Sequence, residues 1–187
     1  MKLKELIEKV LRLIEEISPN NEKLTDDPDI SAKIKDVINQ IQFEMARLKK
    51  IPKYVEFDVA EGELIKFERI EEESGYAVYQ IDVASGVRYE YKAKGTVIKA
   101  LEGGKIEIEF FAYPERITDK TSLNGYEFIL SQDVLELMPY GVAADLLKSD
   151  VSTEYGKIYA ERYEMMKQQL DPRYNMGSIS IEGGVSI

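Results

Sequence analysis

The spacing of apolar residues changes period twice along this chain. Leu3, Leu6, Ile7, Val10, Ile14 and Ile17 recur at steps of three and four, which puts them on one face of a helix; Glu5, Glu8, Lys9, Arg12 and Glu15 take the other. Ser18-Pro19 ends this helix, because proline cannot continue the hydrogen-bond ladder and disfavours the helical state of the residue before it. A second helix is predicted from Asp27-Pro28, with Asp27 as N-cap and Pro28 at the first helical position. Its stripe is Ile30, Ile34, Val37, Ile38, Ile41, Met45 and Leu48. Lys49, Lys50 and Lys53 gather at its C-terminal end, where the helix dipole favours positive charge, and Ile51-Pro52 closes it.

After Pro52 the period becomes two. Residues 54–59 alternate, as do Tyr76 to Val83, Val87 to Tyr91 and Ile106 to Phe111, while Leu64-Ile65 with Phe67 and Thr96 to Leu101 complete the set. Glu61-Gly62, Ser85-Gly86 and Gly103-Gly104 read as tight turns, and Glu71-Glu72-Glu73-Ser74-Gly75 as a hairpin loop. Six short strands joined this way predict an antiparallel sandwich or small barrel.

Helical spacing returns at Val134, Leu135, Met138, Val142 and Leu146, with Pro139 inside it, so a kink or two short helices are expected there. Tyr126 to Leu130 reads as one more strand or a lead-in to that helix. A last helix is predicted from about Thr153 to Leu170, with Tyr155, Tyr159, Tyr163, Met166 and Leu170 at helical spacing and Asp171-Pro172 ending it. The fold class expected is therefore α+β. A discontinuous bundle of about four helices (1–53 and 119–172) carries an inserted antiparallel β sandwich or barrel (54–118) and an extended terminal arm (173–187). Ile34, Val37, Ile41, Val142 and Leu146 are expected in the bundle core.

The 187 residues contain no cysteine and no histidine. Those two zeros remove Ser–His–Asp and Cys–His catalysis, Cys/His zinc sites and thiol redox chemistry. The formal net charge is −10, with the acidity concentrated in the β segment and the C-terminal helices. Such a chain is a poor electrostatic match for nucleic-acid phosphates or anionic membranes. No apolar run approaches membrane-spanning length, and Met1-Lys2-Leu3-Lys4-Glu5 has no signal-like stretch, so synthesis in the cytoplasm is expected.

Asp26-Asp27-Pro28-Asp29 lacks the glycine and glutamate of a calcium loop and reads as helix capping. Glu102-Gly103-Gly104-Lys105 lacks the spacing and the Ser/Thr of a phosphate-binding loop. The Tyr155/Tyr159/Tyr163 stripe suits base stacking or, more simply, helix packing. No pair of carboxylates is singled out for glycosidase chemistry. Neither a metal nor a cofactor site is expected. In the arm, Ile179, Ile181, Val185 and Ile187 fall in a stretch with one charge. That segment is either a frayed terminus or a partner-binding arm that adds to another chain.

Pro139, Val142-Ala143-Ala144, Leu146-Leu147 and Asp150, followed by Tyr155, Tyr159 and Tyr163, form a pattern that resembles the head–tail connector (adaptor) proteins of tailed bacteriophages. The opening helix and Leu24-Thr25-Asp26-Asp27-Pro28-Asp29-Ile30 are similar to that family too. The resemblance covers about 1–53 and 126–187. It implies a non-enzymatic virion protein at the head–tail junction, one subunit of a ring, commonly of twelve. Such a ring joins the portal protein to a neck or tail completion protein and extends a channel through which DNA passes without specific binding. The β segment departs from the plainer helical members. The rival expectation is a binding module in which the β segment recognises a carbohydrate or peptide on a helical scaffold. A carboxylate-based hydrolase is a third.

Overall fold

The structure, a computed structural model, describes residues 1–16, 24–92, 96–149 and 154–170. Its class is α+β, with five α-helices and two small antiparallel sheets among the described residues.

Helix α1 (Leu3–Leu13) is shorter than its apolar spacing suggests, and Ile17 lies outside the described residues. Its first backbone donors are met by the segment that leads into a later helix: Leu3 N–H donates to the Tyr126 carbonyl (3.1 Å) and Lys4 N–H to that of Leu123 (3.0 Å). Tyr126 to Leu130 is therefore a lead-in with one β-bridge, Lys2 to Glu127, rather than a full strand. Helix α2 (Pro28–Leu48) begins as its sequence predicts, with Asp27 Oδ1 accepting from the N–H groups of Asp29 (2.7 Å) and Ile30 (3.1 Å).

Strand β1 (Ile51–Val59) pairs along its whole length with β6 (Gly104–Ala112), and β3 (Val78–Ser85) joins the other side of β6. A second sheet has the order β2 (Leu64–Ile65), β5 (Val97–Ala100), β4 (Tyr89–Lys92). Of the expected sandwich or barrel, a closed barrel is not formed, because each sheet keeps two edges; the inner faces of both sheets share one core. Val55, Phe57, Val59, Ile106, Ile108 and Phe110 point inward, alternating with exposed partners.

The supposed loop at Glu71–Gly75 is the second half of helix α3 (Phe67–Ser74). Ile70 anchors it in the β core, an Arg69–Glu73 pair (2.9 Å) supports its outer side, and Gly75, at φ +74°, supplies the left-handed cap.

Helix α4 (Gln132–Leu146) runs through Pro139 as one element, followed by a 3₁₀ turn (Leu147–Ser149). Pro139 is buried with Leu135, Met138 and Val142, so packing outweighs the lost backbone hydrogen bond. Helix α5 (Tyr155–Gln168) follows. The bundle of α1, α2, α4 and α5 has its own core, and Ile34, Ile41 and Val142 are in it as expected; Val37 and Leu146 are only partly buried at its margin.

Candidate functional site

Helix α5 is the least covered element of the bundle, and Tyr163, at 6% exposure, is its one buried side chain. It is held by specific contacts. The Tyr159 hydroxyl donates to the Leu13 carbonyl (2.7 Å), the Tyr163 hydroxyl to Glu44 Oε2 (3.2 Å), and Lys167 pairs with Glu44. The Tyr163 ring lies flat enough against α4 that a Cβ on Gly141 would sit 2.7 Å from its Cε2, so only glycine permits this approach. Burial, and then the neighbouring Glu44 carboxylate, push the Tyr163 phenol well above its ordinary value.

The adjoining face of α5 has no cover. Tyr155 is 56% exposed, Ile158 50% and Met165 55%, at steps of three and seven along one side of the helix. Arg162 stands between Ile158 and Met165, its guanidinium 4.4 Å from the Tyr140 ring centroid. A cleft of about 360 Å³ opens beside the start of this stripe, lined by Leu13, Ile14, Asp27, Lys33, Tyr155 and Tyr159. The tyrosine stripe of the sequence is thus split: Tyr159 and Tyr163 pack on the bundle, while Tyr155 faces out.

A second surface is the outer face of the β1–β6–β3 sheet. Register places Tyr54, Glu109 and Val83 in one row and Glu56 beside Glu107 in the next. Tyr54 is 79% exposed. Lys105 reaches across to Glu56 (2.5 Å), and that hydrogen bond holds the Glu56 carboxyl below its ordinary value.

No family model matches the chain, and no curated protein matches it.

Two features tie the surfaces to one another. At the joint, Tyr113 meets Phe43 edge-on (5.5 Å between centroids) and Tyr79 at 5.0 Å, and its hydroxyl accepts from Arg47 Nε (3.1 Å). Behind it, Asn39 and Gln42 of α2 are buried polar side chains that pin the chain returning from β6. Asn39 Nδ2 donates to the Ile117 carbonyl (2.7 Å) while Ile117 N–H donates to Asn39 Oδ1 (2.8 Å). Gln42 Nε2 reaches Asn39 Oδ1 (2.8 Å) and the Glu115 carbonyl (3.1 Å). The Tyr126 hydroxyl lies 3.0 Å from Gln42 Oε1 and 2.8 Å from the Glu115 carbonyl, and burial raises its pKa to about 12.

The carboxylate groups singled out in the sequence are occupied locally. Asp27 caps α2, Glu71 Oε1 accepts from Val78 N–H (2.8 Å), and Glu102 accepts from the backbone (3.0 Å) and side chain (2.9 Å) of Arg88. Among the described residues, no group of three or more carboxylates is placed to hold a metal ion. The expected partner-binding residues Ile179, Ile181, Val185 and Ile187 lie outside the described residues. Asn39 and Gln42 were not foreseen. The one signal for them is two polar residues set three apart inside the longest apolar stripe of the chain.

Proposed function

We propose that the protein is a non-enzymatic structural subunit that assembles with its own copies into a connector ring of a tailed phage virion. In this role it joins the portal protein to a neck or tail completion protein around a channel that DNA traverses without specific binding. The observation that carries this reading is the uncovered apolar side of α5. A helix that ends a bundle with Tyr155, Ile158 and Met165 half exposed is suited to contact with another chain. The element order supports it as well, with α4 and α5 carrying the connector-like pattern and packing together around Gly141 and Tyr163. The acidity of the chain suits a channel wall, which must not retain moving phosphates. No helix of the described residues is long and apolar enough to cross a membrane. Native mass measurement of the purified protein, alone and with the products of neighbouring genes, tests the proposal. A ring mass or a portal complex is expected; a chain that stays monomeric in both settings overturns it.

A second reading rests on Tyr54. A largely exposed aromatic on a sheet face that carries Glu56, Glu107 and Glu109 also suits a module that contacts a carbohydrate or peptide. Tyr54→Ala that leaves assembly intact but abolishes binding to a glycan or peptide array would favour it.

A further inference from the structure

Helix α5 carries an apolar arc about twice as wide as its own bundle covers. Tyr159, Tyr163, Met166 and Leu170 occupy one half and pack inward. Tyr155, Ile158 and Met165 occupy the other half and face out. A helix whose only task is to close a bundle needs one such stripe. Within the outward half a single charged side chain intervenes, Arg162, held in place over the Tyr140 ring.

The described chain stops at Leu170, at the foot of this helix, and the sequence continues to residue 187. Residues 178–187 contain Ile179, Ile181, Val185 and Ile187, and a single charge, Glu182. An extended strand puts alternate side chains on one side, so Ile179 and Ile181 share a face. Fully extended, those ten residues span roughly 33 Å, against roughly 15 Å for the α5 stripe from Tyr155 to Met165. The arm is long enough, apolar at the right density, and its lone acidic group matches the lone basic group of the stripe.

The way α5 ends decides whose arm fits. A sharp reversal at a helix C-terminus uses a left-handed residue, commonly glycine. Gln169 instead keeps a right-handed conformation (φ −87°, ψ −8°), and the last turn closes with Gln169 N–H on the Met166 carbonyl (3.1 Å) and Leu170 N–H on that of Lys167 (3.2 Å). Asp171-Pro172 follows, and proline biases the residue before it toward extended backbone. The first glycine after the helix is Gly177. Helix α5 therefore ends without the left-handed reversal that would turn its own arm back along the stripe, and the sequence supplies no glycine for such a turn before Gly177. We infer that the α5 stripe of Tyr155, Ile158 and Met165 is the seat for residues 178–187 of a neighbouring copy, with Glu182 against Arg162. The inference rests on the ring reading in that it needs an adjacent copy; it does not depend on the portal or on DNA.

The absence of cysteine makes the test direct. Separate full-length variants Ile158→Cys and Ile181→Cys are mixed, oxidised and read on a non-reducing gel, with native mass measured on the same samples and folding checked by circular dichroism. A mixed disulfide dimer is expected, and it is expected to be lost when Glu164→Cys, exposed and roughly 120° around α5 from Ile158, replaces Ile158→Cys. Rings that form without the mixed disulfide, or with equal yield from the Glu164 position, overturn the inference and leave the ring reading standing. A double variant that closes its disulfide within one chain at high dilution, without dimer, assigns the stripe to its own arm and overturns the inference as well. Wild-type protein that is monomeric at every concentration and with its neighbours overturns both readings.

Discussion

The helical bundle and the β module each bury a continuous apolar core, but they treat polar groups in opposite ways. In the β module the backbone satisfies itself through strand ladders, so the interior is left to Ile, Val and Phe, and the polar side chains stand on the outer face in pairs such as Glu56–Lys105 and Arg88–Glu102. In the bundle the buried polar side chains among the described residues are Thr25, Asn39 and Gln42, and Asn39 and Gln42 serve backbone groups that no helix or strand provides for. The lesson is where each region keeps its specificity. The module's register is fixed by alternation, because a one-residue slip would turn Phe57 and Phe110 outward. The bundle's register against the returning chain is fixed by hydrogen bonds that only one alignment satisfies.

The strongest way to break this comparison is to damage one core and watch the other. Phe110→Ala, at the centre of the β core, should cost about 3–5 kcal/mol, and Ile41→Ala in the bundle about 2–5 kcal/mol. If the regions are separate cooperative units, urea unfolding of the Phe110 variant keeps its helical circular dichroism while tyrosine fluorescence of the module changes first. A single coincident transition would show that the two cores unfold together. Replacing 54–118 by a short linker poses the same question more severely, and the helical signal should survive.

Asn39→Ala should cost about 1–3 kcal/mol, because Ile117 N–H and C=O are left buried and unpaired. Hydrogen exchange at Ile117 should quicken more than at Ile108; equal protection at both would remove the distinction between the two regions. Gly141→Ala sharpens the picture within the bundle. Alanine is the better helix former by about 1 kcal/mol, yet its methyl would collide with the Tyr163 ring, so the melting temperature should fall; a rise would show that α5 is not seated there.

The smallest effects are read by pH. Glu56, Glu90 and Glu102 of the β module are held below their ordinary value by Lys105, Lys92 and Arg88. Their stabilisation is present above the ordinary carboxylate pKa and is lost as pH falls through the lowered folded values. Tyr126 and Tyr163 of the bundle are raised, Tyr126 to about 12, so their contribution is present below the ordinary phenol value and is lost as pH rises toward the folded one. Acid should therefore weaken both regions only slightly, because the module's carboxylates and the bundle's lowered Asp133 are exposed, and alkali should weaken the bundle more than the module, whose raised tyrosine, Tyr91, is far less buried than Tyr126 and Tyr163. Tyr163→Phe should flatten the alkaline decline, as read by melting temperature against pH.

Much of this was legible in the chain. The N-cap at Asp27, the stripe of α2 and the strand alternation are local signals, and the structure follows them. Helix α3 was not, because eight residues with one buried side chain, Ile70, give no stripe, and three consecutive glutamates look like a loop. At Pro139 the alternative of two short helices fails for a related reason: burial against the rest of the bundle outweighs a local rule, and the helix continues through it. Asn39 and Gln42 were illegible as partners because the groups they serve lie more than seventy positions away in sequence. The exposed side of α5 was hidden by its regularity, since Tyr155, Tyr159 and Tyr163 read as one stripe and only packing divides them.

The pairing of Ile51 with Ala112 has a consequence for how the chain finds this fold. Helix α2 and helix α4 are separated by the whole β segment, and bringing them together directly would require closing a long loop, at an entropic cost that grows with the logarithm of its length. Strands β1 and β6 are the first and last of that segment. Once they zip, the end of α2 and the start of the segment leading to α4 are neighbours, and the remaining search is that of a much shorter chain. A module that zips ahead of the bundle would act as a splint, converting distant helix contacts into near ones; on that order of events, substitutions at β1–β6 pairs such as Val55–Ile108 should slow formation of the helical core they never touch, and unchanged refolding kinetics would exclude it.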